Sequence, residues 1–326
     1  MSKIKLDRDR VIRVSFSSIA NYMDCRRKFW FSNIKGYELI AFKPYNVTGN
    51  CVHYGLHQLY SKNKNAVKDA MAMFNNEIKK LRKDNLSLSE KDENEIIYQK
   101  LAINGMLEAY KNKYSNHIKK TKHISNELKL ELNLDKRTVL VIKMDNIVDI
   151  EKRGKHVHEI KTVKTLTPDY VRNIKNDLQT GIYFHGHNRT VSKKDRLKGI
   201  MYDVIRKPSI RQTKKETASM FLDRVAEYYT SPNESELFYM DFIEYPLLTE
   251  DRVFNTVESV VDDMRRCLVE DDFYPNDRHC YVKSRCQFYD ICHTGENKLT
   301  LANYKVRQKP DKSEETNACQ KPKKKR

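Results

Sequence analysis

A chain of 326 residues can bury one large core or two modest ones. With 39% apolar and 33% charged residues it is polar for a compact enzyme, yet 19 Tyr and 12 Phe supply enough bulk to exclude global disorder. The net charge is +18; residues 305–326 hold nine Lys or Arg against three acids, a net of +6, which leaves +12 for the rest and suits the phosphates of a nucleic acid.

In chain order, "VSFSSIANYMDCRRKFWF" opens with Ser caps and reads as one helix, with Ile19, Tyr22 and Met23 on one face and Trp30 near its end. Residues 50–115 read as helical, interrupted at the polar stretch "RKDNLSLSEKDENE". From 125 to 162 the pattern changes: "NELKLELNL" alternates strictly, "TVLVIKMDNIVDI" is a β-branched run and "KHVHEIKT" closes a three- or four-stranded meander. A helix follows Pro168 and another covers about 176–187. "RLKGIMYDVIRK" is a strand, followed by a helix at 214–230, a strand at 237–246 and a long helix at 249–270. The expected fold is α/β: one domain over 1–296, a mixed central sheet flanked by helices, with a helical insertion at about 55–120, a cysteine loop at 275–294 and a basic tail from 297 to 326.

No stretch reaches the roughly 18 apolar residues of a membrane span, and "MSKIKLDRDRVIRV" carries no signal-peptide apolar region. A reducing, cytoplasmic setting follows, in which the seven cysteines are not disulfides. The closing "KPKKKR" fits a solvated tail, with a nucleic-acid tether or nuclear import as minor alternatives.

The strand "HVHEIKT" places Glu159 and Lys161 on one face of an otherwise apolar segment, and unpaired buried charge is costly. Asp145, in the neighbouring strand "VIKMDNIVDI", adds a second carboxylate. Two carboxylates brought together call for a cation, and hard oxygen ligands favour Mg²⁺ or Mn²⁺ over zinc. Lys161 on the same face would orient or help activate water and stabilise charge developing on a phosphate. An isolated E-x-K is more often a surface ion pair, so its context matters. "GNCVHYGLHQLY" supplies a His after a turn, and "DLQTGIYFHGH" sets Gln179 and Tyr183 at i and i+4 on one helix face.

Gly49-x-x-Val52-His53, Asp145, Glu159-x-Lys161 and Gln179-x-x-x-Tyr183, in that order, resemble the PD-(D/E)XK nuclease superfamily, and in particular its RecB-like exonuclease branch. The resemblance implies a restriction-endonuclease-like core. It also implies that His53, Asp145, Glu159 and the backbone carbonyl of Ile160 are metal ligands and that Lys161 is catalytic. Gln179 and Tyr183 would contact or position nucleic acid, and Glu127, opening "NELKLEL", would support the site. His57, one turn after His53, competes with it as a ligand, and the Gly-x-x-Val-His frame selects His53. Relatives often carry Gly three residues before the motif aspartate, where this chain has Ile142. By period-two alternation His156 and His158 fall on the opposite strand face and are not expected to be ligands. "GIMYDVIRKPSIR" and the segments after it resemble phage-encoded members, so the likeness runs over about residues 14–294. Arg206, Lys207, Arg211 and Arg224 are candidates for the nucleic-acid path.

"CYVKSRCQFYDICH" spaces Cys280, Cys286 and Cys292 evenly, and Cys25 lies far upstream. Three clustered thiols and a distant one can close a four-thiolate site. In the RecB-like branch this arrangement typically holds a [4Fe–4S] cluster, which the resemblance therefore implies ahead of zinc; His279 and His293 flank the group. Cys51 and Cys267 read as buried free thiols.

The expected function is a metal-dependent DNA exonuclease of recombination, repair or genome processing, with DNA and protein components of a recombination or replication complex as partners. The alternatives are an endonuclease or DNA-end trimming factor within a larger complex, and a non-catalytic nucleic-acid-binding module. No P-loop supports an NTP motor.

Overall fold

The computed structural model describes residues 11–41, 43–84, 88–230, 237–244, 248–282 and 284–307. The chain divides into two compact units. The smaller comprises Met1–Ile40, Glu131–Val141 and Asn255–Arg326, and the larger comprises Ala41–Leu130 and Ile142–Phe254.

In chain order the elements are β1 (Ile12–Ser15), α1 (Phe16–Asp24), α2 (Arg26–Phe29), a π-helical turn over Trp30–Ile34, β2 (Tyr37–Leu39), α3 (Pro44–Tyr60), α4 (Ala66–Asp84), α5 (Glu90–Lys113) and α6 (Ser115–Lys120). There follow β3 (Thr121–Asp135), β4 (Thr138–Ile150), β5 (Gly154–Val163), α7 (Pro168–Ile174), α8 (Leu178–Thr190), β6 (Gly199–Arg206), α9 (Ala218–Glu227), β7 (Phe238–Ile243), α10 (Glu250–Glu270), α11 (Tyr289–Thr294), α12 (Lys298–Leu301) and β8 (Tyr304–Val306). The fold is mixed α/β with a central mixed sheet flanked by helices.

In the larger unit β5 is central. It pairs antiparallel with β4 and parallel with β6, and β6 pairs antiparallel with β7. The parallel step requires a crossover, which α7 and α8 provide. The insertion helices α3–α5 cover one face through Leu56, Tyr60, Phe74, Ile103 and Leu107, packed in one core with Val148, Ile160 and Ile205 of the strands. Helix α8 packs against β5 and β6. The isoleucine that replaces the glycine usual before the motif aspartate is accommodated here, because a Cβ added at Gly186 of α8 would lie 2.2 Å from Ile142 Cδ1.

In the smaller unit β1 pairs parallel with the first four residues of β4, Thr138–Val141. The single helix expected from Ser15 onward is broken. Ser15 caps α1 in a capping box with Ser18, and Ile19 and Tyr22 are buried. Cys25, however, adopts extended backbone (φ −167°, ψ 120°), which ends α1 and restarts the helix as α2. Met23, expected on the buried face, is 55% exposed because the core contact ends with Tyr22, whose hydroxyl donates to Asp263 (2.8 Å) beside Cys267 Sγ.

The tail begins later than residue 297. Asn297 caps α12, and β8 pairs antiparallel with β2. Tyr304 stacks on Phe288 at 5.8 Å, so apolar burial holds this segment in place. The remainder of the basic tail, 308–326, lies outside the described residues.

Candidate active site

All the candidate catalytic residues lie in the larger unit, on α3, β4, β5 and α8. The β4–β5 ladder runs from Ile150–Gly154 to Ile147–Val157; continued by two residues, the same register sets Asp145 level with Glu159. Pro44 starts α3, where a missing N–H does no harm, and the helix carries His53 to the strands. His53 Nδ1 lies 3.3 Å from Asp145 Oδ2, and both side chains are about one-third exposed (29% and 34%).

Glu159 is 1% exposed. One carboxylate oxygen is paired with Lys161 Nζ, and the other, Oε2, is buried with no hydrogen-bond partner. Lys161 also donates to Gln179 Oε1 at 2.7 Å, and Gln179 Nε2 donates to the Tyr183 hydroxyl at 2.7 Å. The Tyr183 ring is buried, and its hydroxyl accepts from the same Gln179 amide group whose oxygen accepts from the Lys161 ammonium. Ile160, between the two charged residues, points into the core on the other strand face. The Glu127 side chain lies outside the described residues; its backbone belongs to β3.

Protonation follows from burial and these pairings. Burial pushes the Glu159 carboxyl up to about 7; the Lys161 ammonium opposes this and the Asp145 charge adds to it. For Lys161 burial acts downward, but Glu159 outweighs it and the ammonium is held above its ordinary range. Asp145 is also opposed by burial, and its hydrogen bond to His53 with the charges of His53, His57 and Lys161 carries it below the ordinary value. His57 is pushed down to about 4 by burial and by neighbouring His158. It is 7% exposed and faces the protein interior.

His156 and His158 face the insertion side. His158 stacks edge-on against Tyr60 (4.7 Å), and its Nε2 lies 2.9 Å from Asp203 Oδ2. Tyr110 donates to the same carboxylate oxygen, and the Tyr60 and Tyr110 hydroxyls are 2.8 Å apart. This polar cluster is enclosed beneath α3 and α5.

Two carboxylates, one of them with an unpartnered buried oxygen, and one imidazole make a donor set that fits a hard divalent cation. Among the described residues no three His, Cys, Asp or Glu side chains close on one point, since Glu159 is engaged by Lys161 and Asp145 by His53.

The sequence reading passed over Asp177 and Asp203. Asp177 caps α8, accepting from Gln179 N at 2.9 Å, and its charge acts on Lys161. Its signal was legible as an N-cap before a helix. Asp203, hidden in the apolar run "GIMYDVIR", gave no such signal. Of the basic residues proposed for a nucleic-acid path, Arg224 is committed to Glu216 and to the carbonyl of Arg211.

In the smaller unit, Cys25 Sγ accepts from the backbone N–H of Asn276 (3.2 Å) and of Lys28 (3.4 Å). Cys286 N donates to Cys280 O at 2.8 Å. Burial raises the Cys280 and Cys292 thiols; the charges of Cys286, Cys25 and Asp277 raise Cys280 further, and those of Cys25, Cys280 and Cys286 raise Cys292 against the opposing charge of Arg27. The four thiols therefore share one neighbourhood, although no three of them close on a single ion. His279 is engaged with Asp24 (3.3 Å) and His293 packs on the Tyr289 ring (4.2 Å). Cys51 and Cys267 are fully buried, and burial pushes the Cys51 thiol up to about 12.

An E-x-K strand beside an aspartate strand, on a mixed sheet of this kind, is the architecture of metal-dependent nucleases. The family profile of the PD-(D/E)XK nuclease superfamily matches residues 13–293, and the chain belongs to that superfamily. No curated protein matches the chain.

Proposed function

We propose that the protein is a metal-dependent DNA exonuclease of the RecB-like branch, acting on single-stranded DNA or DNA ends in recombination, repair or genome processing. The observation that carries this reading is the fully buried Glu159, with one oxygen on Lys161 and the other without a partner. His53, Asp145, Glu159 and the Ile160 carbonyl would hold Mg²⁺ or Mn²⁺, which when bound supplies Lewis acidity to the phosphate. Hydrolysis forms a bond from the water oxygen to phosphorus and breaks the bond from phosphorus to the leaving sugar oxygen. The water loses a proton and the leaving sugar oxygen gains one, and the phosphate oxygens carry added negative charge while both bonds are partial. Lys161, fixed by Glu159 and Gln179, places a positive charge for that phosphate. Tyr183 and Asp177 act through Gln179, one through its amide and the other through its backbone N–H.

End-labelled linear DNA and covalently closed circular DNA, each incubated with Mn²⁺, test the exonuclease assignment. Linear DNA is expected to be degraded from its ends while the circle survives. Nicking or linearisation of the circle would assign an endonuclease instead, and binding without cleavage of either would leave only a nucleic-acid-binding module.

We infer also that Cys25, Cys280, Cys286 and Cys292 hold a [4Fe–4S] cluster in preference to zinc. What supports this is that Cys25, Cys280 and Cys286 all lie near enough for their charges to act on Cys292, four thiols in one neighbourhood being the ligand number of a cubane. The backbone N–H groups on Cys25 Sγ also suit a thiolate. Anaerobically purified protein is expected to be brown, with about four iron atoms per chain lost in Cys286→Ser. Stoichiometric zinc without visible absorbance would overturn the iron–sulfur assignment.

A further inference from the structure

Helix α4 turns a charged stripe toward α3. Asn76, Lys79, Lys80 and Lys83 recur at three- and four-residue steps, so they share one helix face. With Tyr54 of α3 they line a cleft of about 730 Å³. Tyr54 follows His53 directly, and successive side chains leave a helix about 100° apart. The cleft therefore lies on the next face of the helix that carries the candidate catalytic histidine.

We propose that this cleft is a single-stranded DNA subsite, with backbone phosphates on Lys79 and Lys83 and a base against Tyr54; the proposal rests on the nuclease reading above. Lys80 is paired with Glu77, while Lys79 and Lys83 have no ion pair among the described residues. Lys79 and Lys83 are one turn apart, about 6 Å along the axis, a spacing close to that of successive phosphates in an extended strand. The cleft is of the size that encloses a small ligand, so it takes a few nucleotides and not a duplex. Tyr54 is half-buried, with its ring anchored at the edge of the core, and a ring held in this way stacks a base whatever its identity. The acids of the cleft are engaged internally, Asp69 with Asn63 (2.8 Å) and Glu77 with Lys80, which leaves the Lys79–Lys83 side as the positive wall.

The test uses the full chain in EDTA, with fluorescence anisotropy of a labelled oligothymidylate of about 20 nucleotides over a series of salt concentrations. Lys79→Ala combined with Lys83→Ala is expected to weaken binding about tenfold and to make the slope of log K against log salt shallower by about 1.4, the value for two lost single-strand phosphate contacts. Tyr54→Ala is expected to lose about tenfold, while Tyr54→Phe retains the affinity because the ring and not the hydroxyl stacks. Glu77→Gln is expected to tighten binding about threefold by removing a repelling charge, a gain that misfolding cannot produce. An unchanged slope in the double variant, with no gain in Glu77→Gln, overturns the subsite. These readouts require no cleavage, so the subsite can fail while Lys161→Ala still abolishes hydrolysis, and the hydrolytic reading can fail while the cleft still binds the strand.

Discussion

Lys161→Ala is expected to reduce Mn²⁺-dependent cleavage of linear DNA by about 10²–10³-fold, the loss typical when one charge-stabilising donor is removed. Binding of the same DNA in EDTA should change by less than about twofold, because one phosphate contact among several carries a small share of the affinity. The substitution also has a structural consequence that must be separated from the chemical one. Glu159 is 1% exposed and Lys161 is its partner, so removing the ammonium alone leaves a buried acid unpaired. Breaking a buried pair in this way costs about 3–5 kcal/mol when the remaining charge is retained. Replacing both residues, with Glu159→Gln and Lys161→Met together, removes the charge problem, and a thermal midpoint no lower than that of Lys161→Ala is expected. The double variant should nevertheless be inactive. Nuclease activity retained in both the single and the double variant would refute the assignment of these residues; a stable, DNA-binding and inactive double variant would confine the loss to chemistry.

The residues of this site were legible in the sequence because a strand advertises its faces. Glu159 and Lys161 interrupt an apolar strand at period two, and only a partner or a ligand makes such an interruption tolerable. Gln179 and Tyr183 were readable as one face of a helix, yet the use made of that face was not. Tyr183 is buried and accepts a hydrogen bond from Gln179, an arrangement set by packing depth and not by spacing. The His158–Asp203–Tyr110–Tyr60 cluster was invisible for a related reason. Its members come from β5, β6, α5 and α3, and each looks unremarkable within its own segment. The same holds for the two compact units, since both are assembled from separated segments and no local shift in composition marks their boundaries. The break at Cys25 and the strand β8 also depend on distant partners, Asn276 for the first and Tyr37–Leu39 for the second.

The pH dependence of metal binding should follow Glu159. Its carboxyl is raised from an ordinary 4.5 to about 7, mainly by burial. A raised folded-state value means that folding favours the protonated acid. In the metal-free protein this group's contribution is full below about pH 4.5 and is lost as pH rises through about 7. The shift corresponds to about 3 kcal/mol, at 1.36 kcal/mol per unit. In EDTA the thermal midpoint of the wild type should therefore fall, relative to Glu159→Gln, between pH 5 and pH 8, since glutamine does not titrate. Magnesium reverses the sign. The cation needs the carboxylate, so below about pH 7 its affinity should rise roughly tenfold per unit and then level off. Differential scanning fluorimetry with and without Mg²⁺ reads both effects at once. The Mg²⁺-induced rise in midpoint should be small at pH 5, grow to about pH 7 and plateau above it, and be absent at every pH in Glu159→Gln. A rise in the wild type that is equal at pH 5 and pH 8 would mean that the ion binds without displacing a proton. Glu159 could then not be the buried acid that the cation converts from a destabilising charge into a ligand.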